Sequence, residues 1–250
     1  MKHLSPLLML LVACGGSQKP QQVVAEPPPP EDAGNDGAGE EGPEEDELEV
    51  VSTRGKIDPE AVVSAMRPHA GTIEACYADH VGRRRWLGGA VELRWDVAAD
   101  GAVTSVRLIN SDLGAWTIEK CVLDVARQLT FGKPRGGKAH VTNSVDFSLG
   151  SGAVPWTEDQ TTRAVNGKLK ELTACAKGTT DPTNVTVTMY VGTRGKVQSV
   201  GFASPTGFDD DWADCAAGRA MAWALTDPRG KVAKASFVYN PAELADDEEY

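Results

Sequence analysis

Apolar and polar side chains alternate strictly from Val91 onward: Val91, Leu93, Trp95 and Val97 against Glu92, Arg94 and Asp96. Period two predicts a strand with one face buried. Ala99-Asp100-Gly101 supplies turn chemistry, and a second strand from Val103 to Ile109 closes a hairpin. On either side the period lengthens. Upstream, Val62, Met66, Ile73 and Cys76 are separated by multiples of three and four, as on one helix face. Asp58-Pro59-Glu60 opens that helix with a cap residue and a proline at its first position, and Pro68 is expected to kink or divide it. Downstream, Ile118, Cys121, Val122, Val125 and Leu129 form the apolar face of a second helix. A third strand is expected at about 140–149, ending "VDFSL". The order α-β-β-α-β predicts an α+β fold, with a small antiparallel sheet and helices on one face.

The same pattern returns later in the chain. "VELRWDVAADGAVTSVRLINSD" (91–112) aligns with "VTVTMYVGTRGKVQSVGFASPT" (185–206) at a constant offset of 94. That offset also pairs Cys121 with Cys215, Ala126 with Ala220 and Pro134-Arg135-Gly136 with Pro228-Arg229-Gly230. Upstream it becomes 99, pairing Ile73 with Leu172 and Cys76 with Cys175, because the second copy lacks residues around "GRRRWL". Two tandem units are expected, at 57–150 and 156–240, the second more diverged. They could pair edge to edge as one continuous sheet.

The N-terminal pattern is different. Leu4 to Val12 is an apolar run behind Met1-Lys2-His3, too short for the roughly 20 residues that span a bilayer. Leu11-Val12-Ala13-Cys14 resembles the lipobox of bacterial lipoproteins. That resemblance implies removal of residues 1–13, lipid on Cys14 and, with Gly15 next, sorting to the outer membrane. Residues 14–56 are rich in Pro, Gly and Glu and nearly free of large apolar groups, so they are expected to be a disordered tether. An acidic tail is expected at 241–250.

Charge follows this division. The net charge of −11 lies in the tether and tail, whereas 57–240 carries 20 acids and 21 bases. A neutral body has no basic footprint for nucleic acid. Four cysteines besides Cys14 allow three connectivities. Duplication preserves geometry within a unit, so the repeat favours Cys76–Cys121 and Cys175–Cys215 in the oxidising compartment that export provides. The rival is a metal site of Cys76 and His80 with His69 or His140. The second copy has no histidine at those places, which argues against it.

"IEACYADH…LGGAVELRWDVAADGAVTSVRLINSDLG…IEKCVLDVARQLTFGKPRGG…VDFSL" resembles the AgmX/PglI C-terminal domain family, a relative of the TonB C-terminal domain. The shared features are Cys-Tyr on a helix, Gly-x-Val entering the hairpin, Asp-Gly-x-Val at its turn and Cys on the next helix. The second copy departs at Ala176, Arg194 and Leu225. The resemblance implies a Gram-negative envelope protein without enzymatic activity, in a family tied to surface gliding and periplasmic assemblies. It does not carry over energy transduction, which needs an inner-membrane helix.

No nucleophile elbow, phosphate loop or dinucleotide fingerprint occurs, so neither catalysis nor a cofactor is expected. Asp209-Asp210-Asp211 suits the first turn of the helix bearing Cys215 rather than a cation site. Arg83-Arg84-Arg85-Trp86 is the one concentrated basic and aromatic segment, a candidate interaction site whose plainer reading is a solvated loop with Trp86 folded onto the sheet. The expected function is protein–protein interaction in the envelope through open sheet edges, in a motility or transport assembly. The alternative is binding of peptidoglycan or another envelope glycan, through the sheet face or Arg83–Trp86.

Overall fold

The computed structural model describes residues 55–147, 152–176 and 182–246. Cys14, the signal segment and most of the tether lie outside them. Among the described residues no helix is long and apolar enough to cross a membrane.

The fold is mixed α+β. Its first half runs α1 (Pro59–Met66), a 3-10 turn (Arg67–His69), α2 (Ala70–Val81), β1 (Gly89–Val97), β2 (Val103–Ser111), α3 (Trp116–Ala126) and β3 (Ala139–Phe147). Asp58 caps α1 by accepting from the Glu60 N–H at 2.9 Å, and the helix gives way to the 3-10 turn at Pro68. The three strands form an antiparallel sheet in the order β2-β1-β3. Val91, Leu93, Trp95 and Val97 point into the core under α2 and α3, as their alternation predicts. The Trp95 indole is satisfied there by the Ala126 carbonyl at 2.8 Å.

The second half runs β4 (Ala153–Pro155), α4 (Glu158–Val165), α5 (Lys170–Thr173), β5 (Val185–Val191), β6 (Val197–Ala203), α6 (Asp210–Met221), β7 (Val232–Tyr239) and α7 (Pro241–Asp246). Its sheet has four strands in the order β4-β7-β5-β6. The added strand comes from the interval that the repeat leaves between its two copies. Ala153–Pro155 runs parallel to β7 at Val232–Lys234, a pairing made by tertiary packing that no local period announces.

Both halves lie within one compact unit that begins at Val50. The two sheets stay separate, so the continuous sheet that tandem copies could form is absent here. Their relation explains why β5 and β6 lose the alternation of β1. On one face, Val187, Met189, Val200 and Phe202 meet α6 through Trp212 and Ala216. On the other, Thr188, Tyr190, Ser199 and Gly201 meet residues of the first half. The second sheet is therefore a middle layer, and nearly every residue of both strands is buried.

Candidate functional site

The two sheets have four edge strands, β2 and β3 in the first and the three-residue β4 and β6 in the second. β2 and β6 are edge strands that face each other, and one backbone group of each is engaged across the junction. The Ser204 N–H donates to the Leu108 carbonyl at 2.9 Å, and the Phe202 N–H donates to the Glu119 carboxylate at 2.9 Å. These contacts occupy part of both inner edges. β3 differs. It pairs with β1 along its whole length from Ala139 to Phe147, and among the described residues no strand lies on its other side. Its nine residues alternate, with Ala139, Val141 and Phe147 buried and His140, Thr142, Ser144 and Asp146 exposed. Just before β3, Lys56 and Arg135 exchange backbone hydrogen bonds of 2.8 and 2.9 Å.

The open face of the first sheet carries an organised polar cluster. Asp96, on the central strand, accepts from Ser105 at 2.6 Å and Arg107 at 2.5 Å, and His140 Nδ1 lies 2.6 Å away. Partial burial pushes the Asp96 carboxyl up. The hydrogen bonds from Ser105 and His140 and the Arg107 charge outweigh this and hold it below the usual carboxylate range. Serine and histidine both address the same aspartate, an arrangement that differs from a Ser–His–Asp relay. Among the described residues no group of three or more His, Cys, Asp and Glu side chains gathers to hold a metal.

The junction between the halves holds the most unusual group. Glu119 on α3 is fully buried and accepts from Ser111 Oγ at 2.7 Å, the Phe202 N–H, and the N–H groups of Ala115 and Gly114. Burial pushes its carboxyl up to about 7 against the opposing effect of these four donors. Gly201 lies directly opposite, where a Cβ would collide with both carboxylate oxygens, so only glycine admits the glutamate. Around it, Trp116 and Lys120 both donate to Asp214, and Arg127 grips Asp210 through two bonds of 2.8 Å.

The structure joins Cys76 to Cys121 and Cys175 to Cys215, the bridges that the repeat favours. Each ties the helical segment before its hairpin to the helix after it. Arg83–Trp86 has a different fate from a free loop. Trp86 packs on Tyr190 of the second half with ring centroids 4.7 Å apart, and Arg84 donates to the His80 carbonyl at 3.0 Å. Beside them the Tyr190 hydroxyl donates to Gly88 O at 2.8 Å, and Lys234 bridges Gly88 O and Asp112. Arg83 and Arg85 remain exposed, while the aromatic member of the segment helps to join the halves. Asp209 and its neighbours begin α6, as the dipole argument requires, with Asp210 committed to Arg127.

Sequence reasoning missed Glu119, Tyr190 and Gly201 as joining residues. A signal for them exists in the repeat. The exposed-face residues Arg94, Asp96 and Arg107 of the first copy align with Thr188, Tyr190 and Gly201 of the second, so charge vanishes where the second sheet is covered. No family model, no curated protein and no solved structure matches the chain.

Proposed function

We propose that this chain is a non-catalytic envelope lipoprotein that presents a tandem pair of TonB-C-like units on an acidic tether anchored through Cys14. Its work is protein–protein interaction by strand addition in a motility or transport assembly of the envelope. The supporting observation is the β3 edge: β2 and β6 face each other where the halves meet, while β3, beyond the bond from the Gly55 N–H to the Lys138 carbonyl, pairs on one side only among the described residues. An extended segment adds to such an edge through main-chain hydrogen bonds, and side chains on alternate positions set specificity. The glycan alternative loses support at Arg83–Trp86, where the tryptophan is packed on Tyr190 rather than offered to a ligand.

The test is cross-linking of the full chain in its native envelope. Thr142→Pro removes a backbone donor from β3 at an exposed position, and it is expected to abolish the adducts while both disulfides and the circular dichroism spectrum persist. Adducts of undiminished yield from the folded variant would reject the proposal.

A further inference from the structure

The second half holds a cavity rich in hydrogen-bond donors and positive charge. It measures about 480 Å³ and lies where β4 and α4 meet the turn into β7. β4 runs parallel to β7 and so delivers Trp156, just before the α4 cap Thr157, to the side of residues 226–231. Gln160 and Arg163 follow three residues apart on one face of α4, and Arg229 and Lys231 come from the turn. Among the described residues Arg163, Arg229 and Lys231 form no salt bridge, and the Trp156 indole N–H has no acceptor. Gln160 spends its side-chain oxygen on the Thr157 N–H at 2.9 Å, which leaves its amide nitrogen to donate. The single carboxylate of the lining, Asp227, accepts from the Arg229 N–H at 2.8 Å. Three cations against one acid leave the cavity positive. The first copy has no such site, since Ala61, Ser64 and Gly137 stand where the offsets of 99 and 94 put Gln160, Arg163 and Lys231.

Such a cavity suits a ligand of acceptors and negative charge with an apolar surface for the indole. The chain itself carries one. "EPPPPED", residues 26–32, lies outside the described residues. Proline has no N–H, so a proline run presents carbonyls alone. Four in succession favour the polyproline II helix, whose carbonyls lack internal partners and whose rings pack on aromatic side chains. Glu26, Glu31 and Asp32 set carboxylates at both ends of the run, the charge that arginine and lysine bind. Residues 33–54 link the run to the body and reach roughly 70 Å when extended, more than the roughly 40 Å width of a body this size. We propose that this cavity holds residues 26–32 of the same chain. The link keeps the segment near a millimolar effective concentration, so weak contacts suffice. Docking divides the tether into a free arm, 14–25, and a loop, 33–54, closed against the body, and so draws the body towards residue 14. The inference is independent of what the β3 edge binds.

The experiment treats the full chain with a water-soluble carbodiimide, which joins an amine to a carboxylate only where the two touch, and maps the products by mass spectrometry. Amides from Lys231 to Glu26, Glu31 or Asp32 are expected, whereas the exposed Lys133 is expected to give none to these acids. Mixing isotope-labelled with unlabelled chain separates linkage within a copy from linkage between copies. Predominance of the latter would overturn the same chain as occupant. Arg163→Glu with Arg229→Glu, at two exposed positions, is expected to remove the Lys231 products while both disulfides and the circular dichroism spectrum persist. Pro27→Ala, Pro28→Ala, Pro29→Ala and Pro30→Ala together, which leave the described body untouched, are expected to remove them as well. Undiminished yield from the folded arginine variant would overturn the cavity as the site, and from the proline variant would overturn recognition of the proline run. Lys231 joined to acids at 40–49 instead would overturn this segment as the occupant. Absence of any Lys231 product, or equal yield at Lys133, would overturn the proposal entirely.

Discussion

Arg194 lies in the left-handed region at φ 61°, where a Cβ crowds the following carbonyl at a cost of about 1–2 kcal/mol. Its counterpart in the first hairpin is Asp100, which needs no such conformation because its side chain accepts from the Ala102 N–H at 3.0 Å and closes the turn. Arginine offers no equivalent bond, so the second hairpin carries strain that the first avoids. Arg194→Gly is therefore expected to raise the unfolding free energy by about 0.5–1 kcal/mol, after allowance for glycine's greater freedom in the unfolded chain. A urea midpoint equal to or below that of the unaltered protein would contradict this. The substitution of Asp by Arg is visible in the aligned repeats, but its conformational cost is visible only in the backbone.

At the scale of elements, legibility follows how each segment is covered. β1 sits under helices on one face and water on the other, so its period-two pattern announces both strand and orientation. β5 reads "VTVTMYV" and is buried at every position but Thr186, because both faces are covered, so its alternation fades. β4 is three residues ending in Pro155 and has no period to read; its partner β7 alone defines it. α5 is equally silent at four residues, too short to persist as an isolated helix. It is held instead by Leu172, fully buried, and by the neighbouring Cys175–Cys215 bridge to α6. Replacing both cysteines with alanine is expected to lower stability by about 2–4 kcal/mol. Hydrogen exchange should quicken first in 169–175, and unchanged protection there would show that packing alone secures the segment. The candidate edge was legible as a strand, whereas its openness was not, since that depends on which strands face each other across the molecule.

At the scale of the whole molecule, the contacts that join the halves include one buried acid, and this gives stability a definite pH dependence. Glu119 has a carboxyl raised from 4.5 to about 7 by burial, so its protonated form favours the folded state. The associated stabilisation is complete below about pH 4.5 and is lost as pH rises through about 7, amounting to about 3 kcal/mol. Glu119→Gln, which cannot ionise, is expected to flatten the unfolding free energy across this interval. The same slope in both proteins, measured by urea titration from pH 4.5 to 8, would place the effect on another group.

The covered second sheet gives the two halves unequal standing. The first half has water on one side of its sheet and its own helices on the other. In the second half Thr188, Tyr190, Ser199 and Gly201 rest against a surface that the first half supplies. The second half thus depends on the first for cover on one face of its sheet, a dependence the first does not share. A duplicate that grew dependent in this way was free to give up its own water-facing charges, which explains where the drift between the repeats is concentrated.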